Sequence, residues 1–190
     1  MGKERKNRDR IPTSLYFIAI IPDTHFQEEV IRIKESIKEN YESEHALRSP
    51  AHITLYMPFK WRIDRENRIR NVLSEFADGR SSFTINLKNF GSFPRKVIYI
   101  GVQENDELAR LQKDLIKTVA QNLKLPTGQY KGKAFHPHMT VAFRDLKPAM
   151  FHKAWHDYKD KNLSYTMEVN AISLLKHNGK TWDICNEFKF

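Results

Sequence analysis

The chain has 190 residues, 40% of them hydrophobic and 12% aromatic, enough for one packed domain and too apolar for a disordered chain. Its single cysteine excludes an internal disulfide and a cysteine-rich zinc module, and points to a reducing compartment, the cytoplasm. The net charge of +9 suits a polyanionic partner such as RNA, DNA or a nucleotide, and no apolar run approaches the roughly 18 residues a membrane span requires.

The first ten residues, MGKERKNRDR, carry five basic and two acidic side chains without apolar periodicity. A basic flexible tail is expected over residues 1–12, with no apolar stretch of signal-peptide length behind it. Residues 13–190 are then a single domain. Leu15 to Ile21 is an apolar run of strand length, stopped by Pro22. Asp23 or Thr24 caps a helix whose inward positions are Phe26, Val30, Ile33 and Ile37, fading near Tyr41 to Glu44. His52 to Tyr56 reads as a strand. Asp64 is the expected N-cap of a helix with Ile69, Val72, Leu73 and Phe76 on one face and Gly79 as its stop. Strands follow over Ser82 to Phe90, with alternating Phe83, Ile85 and Leu87, and over Lys96 to Val102. Asn105-Asp106 starts a helix with Leu108, Leu111, Leu115 and Val119 inward. A loop around Pro126 and Gly128 leads to a strand within Ala134 to Phe143, a short helix from Pro148 to Tyr158, and a closing hairpin. That hairpin is read as Glu168 to Lys176, a turn at Asn178-Gly179, and Thr181 to Phe190.

Helices and strands mix without strict βαβ alternation, so the fold class is α+β with mostly antiparallel sheets. Neither GxGxxG nor GxxxxGK[ST] occurs, which removes a Rossmann phosphate turn and a P-loop from consideration.

One pattern occurs twice. Residues 52–57 read His-Ile-Thr-Leu-Tyr-Met and residues 138–143 read His-Met-Thr-Val-Ala-Phe. Side chains at i and i+2 of a strand share a face. His52 and Thr54 therefore point one way while Ile53 and Leu55 enter a core, and His138 and Thr140 do the same before Met139 and Val141. An imidazole titrates near neutrality and can give or take a proton at working pH. A hydroxyl two residues on can hold a non-bridging phosphate oxygen. Two such strands facing one phosphate supply an acid, a base and two anchors, a design that requires no metal.

On these residues the sequence resembles the two-histidine (2H) phosphoesterases, and within them the 2'-5' RNA ligase-like and cyclic phosphodiesterase group. The resemblance runs from about Leu15 to Phe190. It includes YFIAIIPD, HITL followed by Pro58, FHPHMTVAF, and the closing AISLLKHNGKTWDI. It implies a bilobal fold with pseudo-two-fold symmetry, in which two mainly antiparallel sheets flanked by helices surround a central cleft. It also implies hydrolysis of 2',3'-cyclic phosphates or related diesters, or reversible joining and cleavage of 2'-5' linkages in RNA, with no cofactor, metal or ATP. Carried over, His52 and His138 are the catalytic pair and Thr54 and Thr140 bind phosphate. His138 would be the base that activates water and His52 the acid that protonates the leaving ribose oxygen. Some relatives carry arginine five residues after the second histidine; here Phe143 stands there and Arg144 follows, on the face of His138 and Thr140 if the strand stays straight.

Further candidates for substrate contact are Tyr56, sharing the face of His52 by parity, and Tyr130, Lys131 and Lys133 in the loop before the second motif. Phe143 belongs to the core by parity. Lys60 and Arg62 read as solvated, and His25, His45, His152, His156 and His177 as surface residues. His136-x-His138 suggests a metal pair or a histidine triad, but Thr140 stands where the triad needs its third histidine, and Asp145 is the only acid nearby. Cys185 has no base placed beside it and reads as buried and inert. The expected partner is RNA or a nucleotide with a cyclic phosphate or 2'-5' linkage, the expected state a monomer. A module that binds RNA or nucleotide in the same cleft without turnover is the alternative.

Overall fold

The computed structural model describes residues 11–94 and 96–190. The tail expected over residues 1–12 lies outside the described residues except for Ile11 and Pro12; the Pro12 carbonyl accepts the Ile63 N–H. The order is β1 (Thr13–Ile20), α1 (Thr24–Tyr41), β2 (Ile53–Arg62), α2 (Glu66–Ala77), β3 (Phe83–Phe93), β4 (Val97–Val102), α3 (Asp106–Leu123), β5 (His138–Ala142), α4 (Pro148–Tyr158), β6 (Ser164–Val169), β7 (Ala171–His177) and β8 (Trp182–Lys189).

The fold is α+β, as the element order predicts. Its strands form one antiparallel sheet in the order β6-β3-β4-β5-β2-β1-β7-β8. The two expected sheets are the halves of this one. β6-β3-β4-β5 and β2-β1-β7-β8 meet at a single residue pair, Ile53 with Met139. Each half contains the same run, strand-helix-strand-helix: β1-α1-β2-α2 in one and β4-α3-β5-α4 in the other. The two histidine strands are thus equivalent in the two halves, and they are the innermost pair.

Helix formation follows the apolar spacing. Asp23 accepts the Phe26 N–H at 3.1 Å and caps α1, and Asn105 does the same for α3 through the Leu108 N–H at 2.8 Å. Phe26, Val30 and Ile37 of α1 and Leu108, Leu111, Leu115 and Val119 of α3 are buried as expected, each burial stabilising by about 1.5–3 kcal/mol. Ile33 is only half-buried, and its neighbour Lys34 takes an inward place instead.

Three expectations need correction. Asp64 does not cap α2; it lies in a short 3-10 turn and its carboxylate takes the Arg62 guanidinium, while α2 starts after Arg65 without a side-chain cap. The strand begun at His52 continues through Pro58 to Arg62. Proline is tolerated there because β2 pairs with β5 only at Ile53, so the other edge of β2 asks no N–H of residue 58. Finally, Glu168 to Lys176 is two strands. β6 pairs with β3 at one edge of the sheet, β7 pairs with β1 near the other, and only Asn170 separates them. One residue spans at most about 7 Å between its neighbours, so the sheet curls until its edges approach. The Phe190 N–H closes that gap on the Asn170 carbonyl at 2.8 Å.

Tyr16, Ile18 and Ile20 of β1 join the main core with the helices, whereas Phe17 and Ala19 form a small cluster with Leu175 on the opposite face. Among the described residues no helix is long and apolar enough to cross a membrane.

Candidate active site

The histidine pair is built by the seam. In an antiparallel ladder the residue before Ile53 stands across from the residue after Met139. His52 therefore faces Thr140, and Thr54 faces His138. All four are half-buried on one face, while Ile53, Leu55, Met139 and Val141 are buried on the other. His52 and His138 are diagonal neighbours, which places their backbones roughly 7–8 Å apart, a span that one phosphate group can bridge through the two rings.

Both rings are held by the same bond. His52 Nδ1 lies 2.8 Å from the Pro50 carbonyl, and His138 Nδ1 lies 2.8 Å from the His136 carbonyl. A carbonyl only accepts, so Nδ1 carries the hydrogen and Nε2 is left as the free basic nitrogen in each ring. Loss of water around the ring pushes the His52 pKa down to about 4, helped by the positive charges of Lys34 and His138 and opposed by the Pro50 carbonyl. His138 is also held below its ordinary value by burial, which outweighs the raising effect of the His136 carbonyl; the charge of His136 adds a smaller lowering.

Aromatic rings set both imidazoles. Phe17 of β1 packs at 4.8 Å from His52, with Trp182 edge-on behind it at 4.7 Å. In the other half, Tyr99 of β4 packs at 5.2 Å from His138, with Phe93 at 5.0 Å. Tyr99 lies so closely over Gly91 that any side chain there would enter its ring.

A cavity opens on each side of the seam. The larger, about 840 Å3, lies between α3 and the loop before β5, where β2 and β5 diverge; His138 and Thr54 line it, with Tyr130, Lys131 and Lys133. Lys113 and Lys117 of α3 flank an apolar floor that includes Ile116. The smaller, about 500 Å3, is lined by His52, Thr140 and Arg144. Among the described residues no carboxylate lines either cavity. The sequence candidates thus divide: Tyr130, Lys131 and Lys133 join His138, and Arg144 joins His52. The Tyr130 hydroxyl accepts the Met57 N–H at 2.7 Å, which ties its loop to β2.

Tyr56 does not belong to the site. It is fully buried and its hydroxyl donates to the Pro126 carbonyl. The cause is a bulge: β1 residues 18 and 19 pair with β2 residues 56 and 54, so Leu55 is extra and the alternation slips by one. Phe143 is likewise displaced from the core. The Asp145 N–H bonds the Phe143 carbonyl at 2.8 Å across Arg144, whose φ is +63°. The cause is again a bulge: β4 residues 98 and 99 pair with β5 residues 142 and 140, so Val141 is extra and Phe143 turns into the smaller cavity, edge-on to His45 at 4.8 Å, with the γ-turn at Arg144 following it. Asp145 fixes the turn, accepting from the Ser43 hydroxyl and from the N–H groups of Glu44 and His45.

His45 and His177, read as surface residues, line the smaller cavity, as do Arg48, Lys180 and Trp182. No local pattern marks these residues, because the 3-10 turn at His45–Arg48 and the β7–β8 turn reach the cavity only through the tertiary fold. His25, His152 and His156 are exposed, and Cys185 is half-buried beside Glu66 and Arg70. His136 is exposed, its Nε2 3.4 Å from the Tyr99 hydroxyl. Among the described residues no group of three or more His, Cys, Asp or Glu could hold a metal ion.

Residues 22–181 match the family model described as the 2'-5' RNA ligase superfamily. A protein of Bacillus pumilus (strain SAFR-032), provisionally named a phosphoesterase, is 31% identical over 129 residues, which cover 67% of this chain and 68% of that one. Among solved structures, E. coli LigT complexed with 3'-AMP superposes with a TM-score of 0.69 at 17% identity, covering 94% of this chain and 99% of LigT. TT0787 of Thermus thermophilus superposes with a TM-score of 0.63 at 17% identity, covering 92% and 97%.

Proposed function

The chain belongs to the 2'-5' RNA ligase superfamily of two-histidine phosphoesterases, and from that premise we propose that it is an enzyme acting on RNA or nucleotide phosphodiesters. Its reaction is opening of a 2',3'-cyclic phosphate, or the related cleavage and joining of 2'-5' linkages, by acid–base catalysis between His52 and His138 without metal or ATP. The observation that carries this reading is the Ile53–Met139 register, which gives one phosphate two imidazoles and two threonine hydroxyls on a single face.

In the hydrolytic direction the phosphate lies over the seam and the Thr54 and Thr140 hydroxyls donate to its non-bridging oxygens. His52 Nε2 takes a proton from water as the water oxygen bonds phosphorus. The bond to one ribose oxygen breaks, and His138 Nε2 gives that oxygen its proton. The product is a phosphomonoester, and the two imidazoles have exchanged protonation states. These roles reverse the expectation from sequence, because the surroundings of His52 resist protonation more strongly than those of His138. In the joining direction a ribose hydroxyl replaces water. The cations beside the two cavities offset the phosphate charge and raise local substrate concentration, so binding weakens as salt rises. The 3'-AMP in the LigT complex is what opening of 2',3'-cyclic AMP at its 2'-oxygen yields, which supports a nucleotide in this cleft.

The test is hydrolysis of 2',3'-cyclic mononucleotides and cyclic-phosphate-ended RNAs in excess EDTA, with His52→Ala and His138→Ala beside the wild type. Each variant should lose roughly 10²–10⁴-fold in rate. Binding of RNA without turnover would make the chain a binding module, and turnover that survives both substitutions would place the chemistry elsewhere.

A further inference from the structure

Lys34 is buried to 2% exposure, and among the described residues its ammonium has one bond, donated to the Ser49 carbonyl at 3.0 Å. Placing a cation there is unfavourable, and an apolar side chain of that length would pack without the desolvation penalty. Nothing in the acid–base reaction uses it. Two turns earlier on α1, Gln27 makes two bonds to a single residue: its Nε2 donates to the Ala51 carbonyl at 2.7 Å and its Oε1 accepts the Ala51 N–H at 2.8 Å.

These bonds converge on three consecutive residues. The Ser49 carbonyl is held by Lys34, the Ala51 backbone by Gln27, and the Pro50 carbonyl between them receives His52 Nδ1. The segment before His138 differs: Pro137 has no N–H to offer, and α3 makes no matching clamp among the bonds of the described residues. The geometry points to Lys34 and Gln27 as positioning residues for His52, fixing through Ser49–Ala51 the carbonyl that sets the tautomer and aim of its ring. This rests on the reading of His52 as a catalytic base.

The two residues separate by charge. Gln27 is neutral and acts through geometry alone. Lys34 also brings a positive charge to the interior side of His52. The other charged or titratable groups around that ring are His138 across the seam, His45 and Arg48 from the 3-10 turn, Arg144 after β5, and His177 and Lys180 from the β7–β8 turn. Of these cations Lys34 is the fully buried one, where solvent screens least. Its charge opposes an imidazolium, consistent with the depressed pKa of His52, and so keeps Nε2 ready to accept a proton.

The experiment is an NMR titration of the His52 ring nitrogens in the full chain, beside pH profiles of kcat/KM. In Lys34→Met the His52 pKa should rise, and the acid limb of the profile should move to higher pH with it. In Gln27→Leu kcat should fall by roughly tenfold or more with KM kept, and the limb should stay in place. Lys34→Arg restores charge and donor and should return the wild-type titration; Gln27→Glu keeps the acceptor for the Ala51 N–H and should lose less than Gln27→Leu. These two also decide the matter if the apolar variants do not fold. An unmoved His52 titration in Lys34→Met, or wild-type kcat in Gln27→Leu, overturns the assignment. Turnover that persists in His52→Ala would remove the catalytic reading of His52, while the ring titration would still decide whether α1 positions it.

Discussion

His52 and His138 sit across one residue pair from each other, and each fixes its ring by the same Nδ1 contact, at 2.8 Å, to the carbonyl two residues upstream. Both therefore present Nε2, and what distinguishes them is how strongly each resists a proton.

The pH dependence follows with its sign. In the free protein the proposed reaction needs His52 neutral and His138 protonated. As pH rises through about 4, His52 loses its proton and kcat/KM climbs. As pH rises further through the lowered value of His138, the acid is lost and kcat/KM falls. A bell with its maximum on the acid side of neutrality is the expected profile of kcat/KM on a cyclic mononucleotide.

The division of roles has a test of its own. A phosphodiester with a good leaving group, such as nitrophenolate, needs no general acid. Its hydrolysis should recover in His138→Ala and stay low in His52→Ala; recovery in the other variant would restore the assignment expected from sequence.

Arg144 combines charge with a left-handed backbone, φ +63°. Arg144→Gly and Arg144→Ala should both raise KM for a phosphodiester and do so less with salt added. They should part in stability. Glycine takes that φ without strain, alanine does not, and urea unfolding should find Arg144→Gly the more stable by about 1 kcal/mol.

Gly91→Ala changes no group at the site yet forces the Tyr99 ring to move. Tyr99 packs on His138. The expected outcome is a fall in kcat of about tenfold or more with His52 titrating as in the wild type, read by the same ring-nitrogen NMR.

Away from the site, Glu66 accepts from the Tyr16 hydroxyl at 2.7 Å, from Lys176 Nζ at 2.6 Å and from Arg70. Burial pushes its carboxyl up, but the bonds from Lys176, Tyr16 and Arg70 win and hold it at about 2 against an ordinary 4.5. A lowered carboxyl pKa stabilises the fold above pH 4.5, and that contribution is lost as pH falls toward 2. Glu66→Ala leaves two partly solvated cations unpaired and should cost roughly 1–2 kcal/mol at neutral pH, with the difference from wild type shrinking in acid. Urea unfolding at both pH values measures it.

Much of this was legible in the chain. The two His-x-Thr segments needed only the alternation of a strand to place four side chains on one face, and that alternation held from His52 to Thr54 and from His138 to Thr140. It failed at the next step in each case. One extra residue at Leu55 turned Tyr56 into the core, and one extra residue at Val141 turned Phe143 out of it. Bulges and tight turns are set by partners across the sheet, such as Ile18 opposite Tyr56 and Asp145 reaching residues 43–45. No local pattern encodes them. Lys34 was hidden for a related reason: on a helix wheel it reads as a polar neighbour of Ile33, and only the Ser49 carbonyl explains its burial.

The single backbone pairing at the seam also bears on what a substrate does to the protein. Sheet contact between the halves is one residue pair, supported by side chains such as Tyr41 on Asp157 and Ser43 on Asp145. A phosphate gripped by Thr54 from one half and Thr140 from the other is a crosslink laid across that joint. Ligand binding then acts as a suture: it should slow amide exchange at Ile53 and Met139 more than in strands β3 and β7, far from the joint. Substrate and fold would then share one line of attachment, so whatever loosens the halves also separates the two nitrogens proposed to do the chemistry.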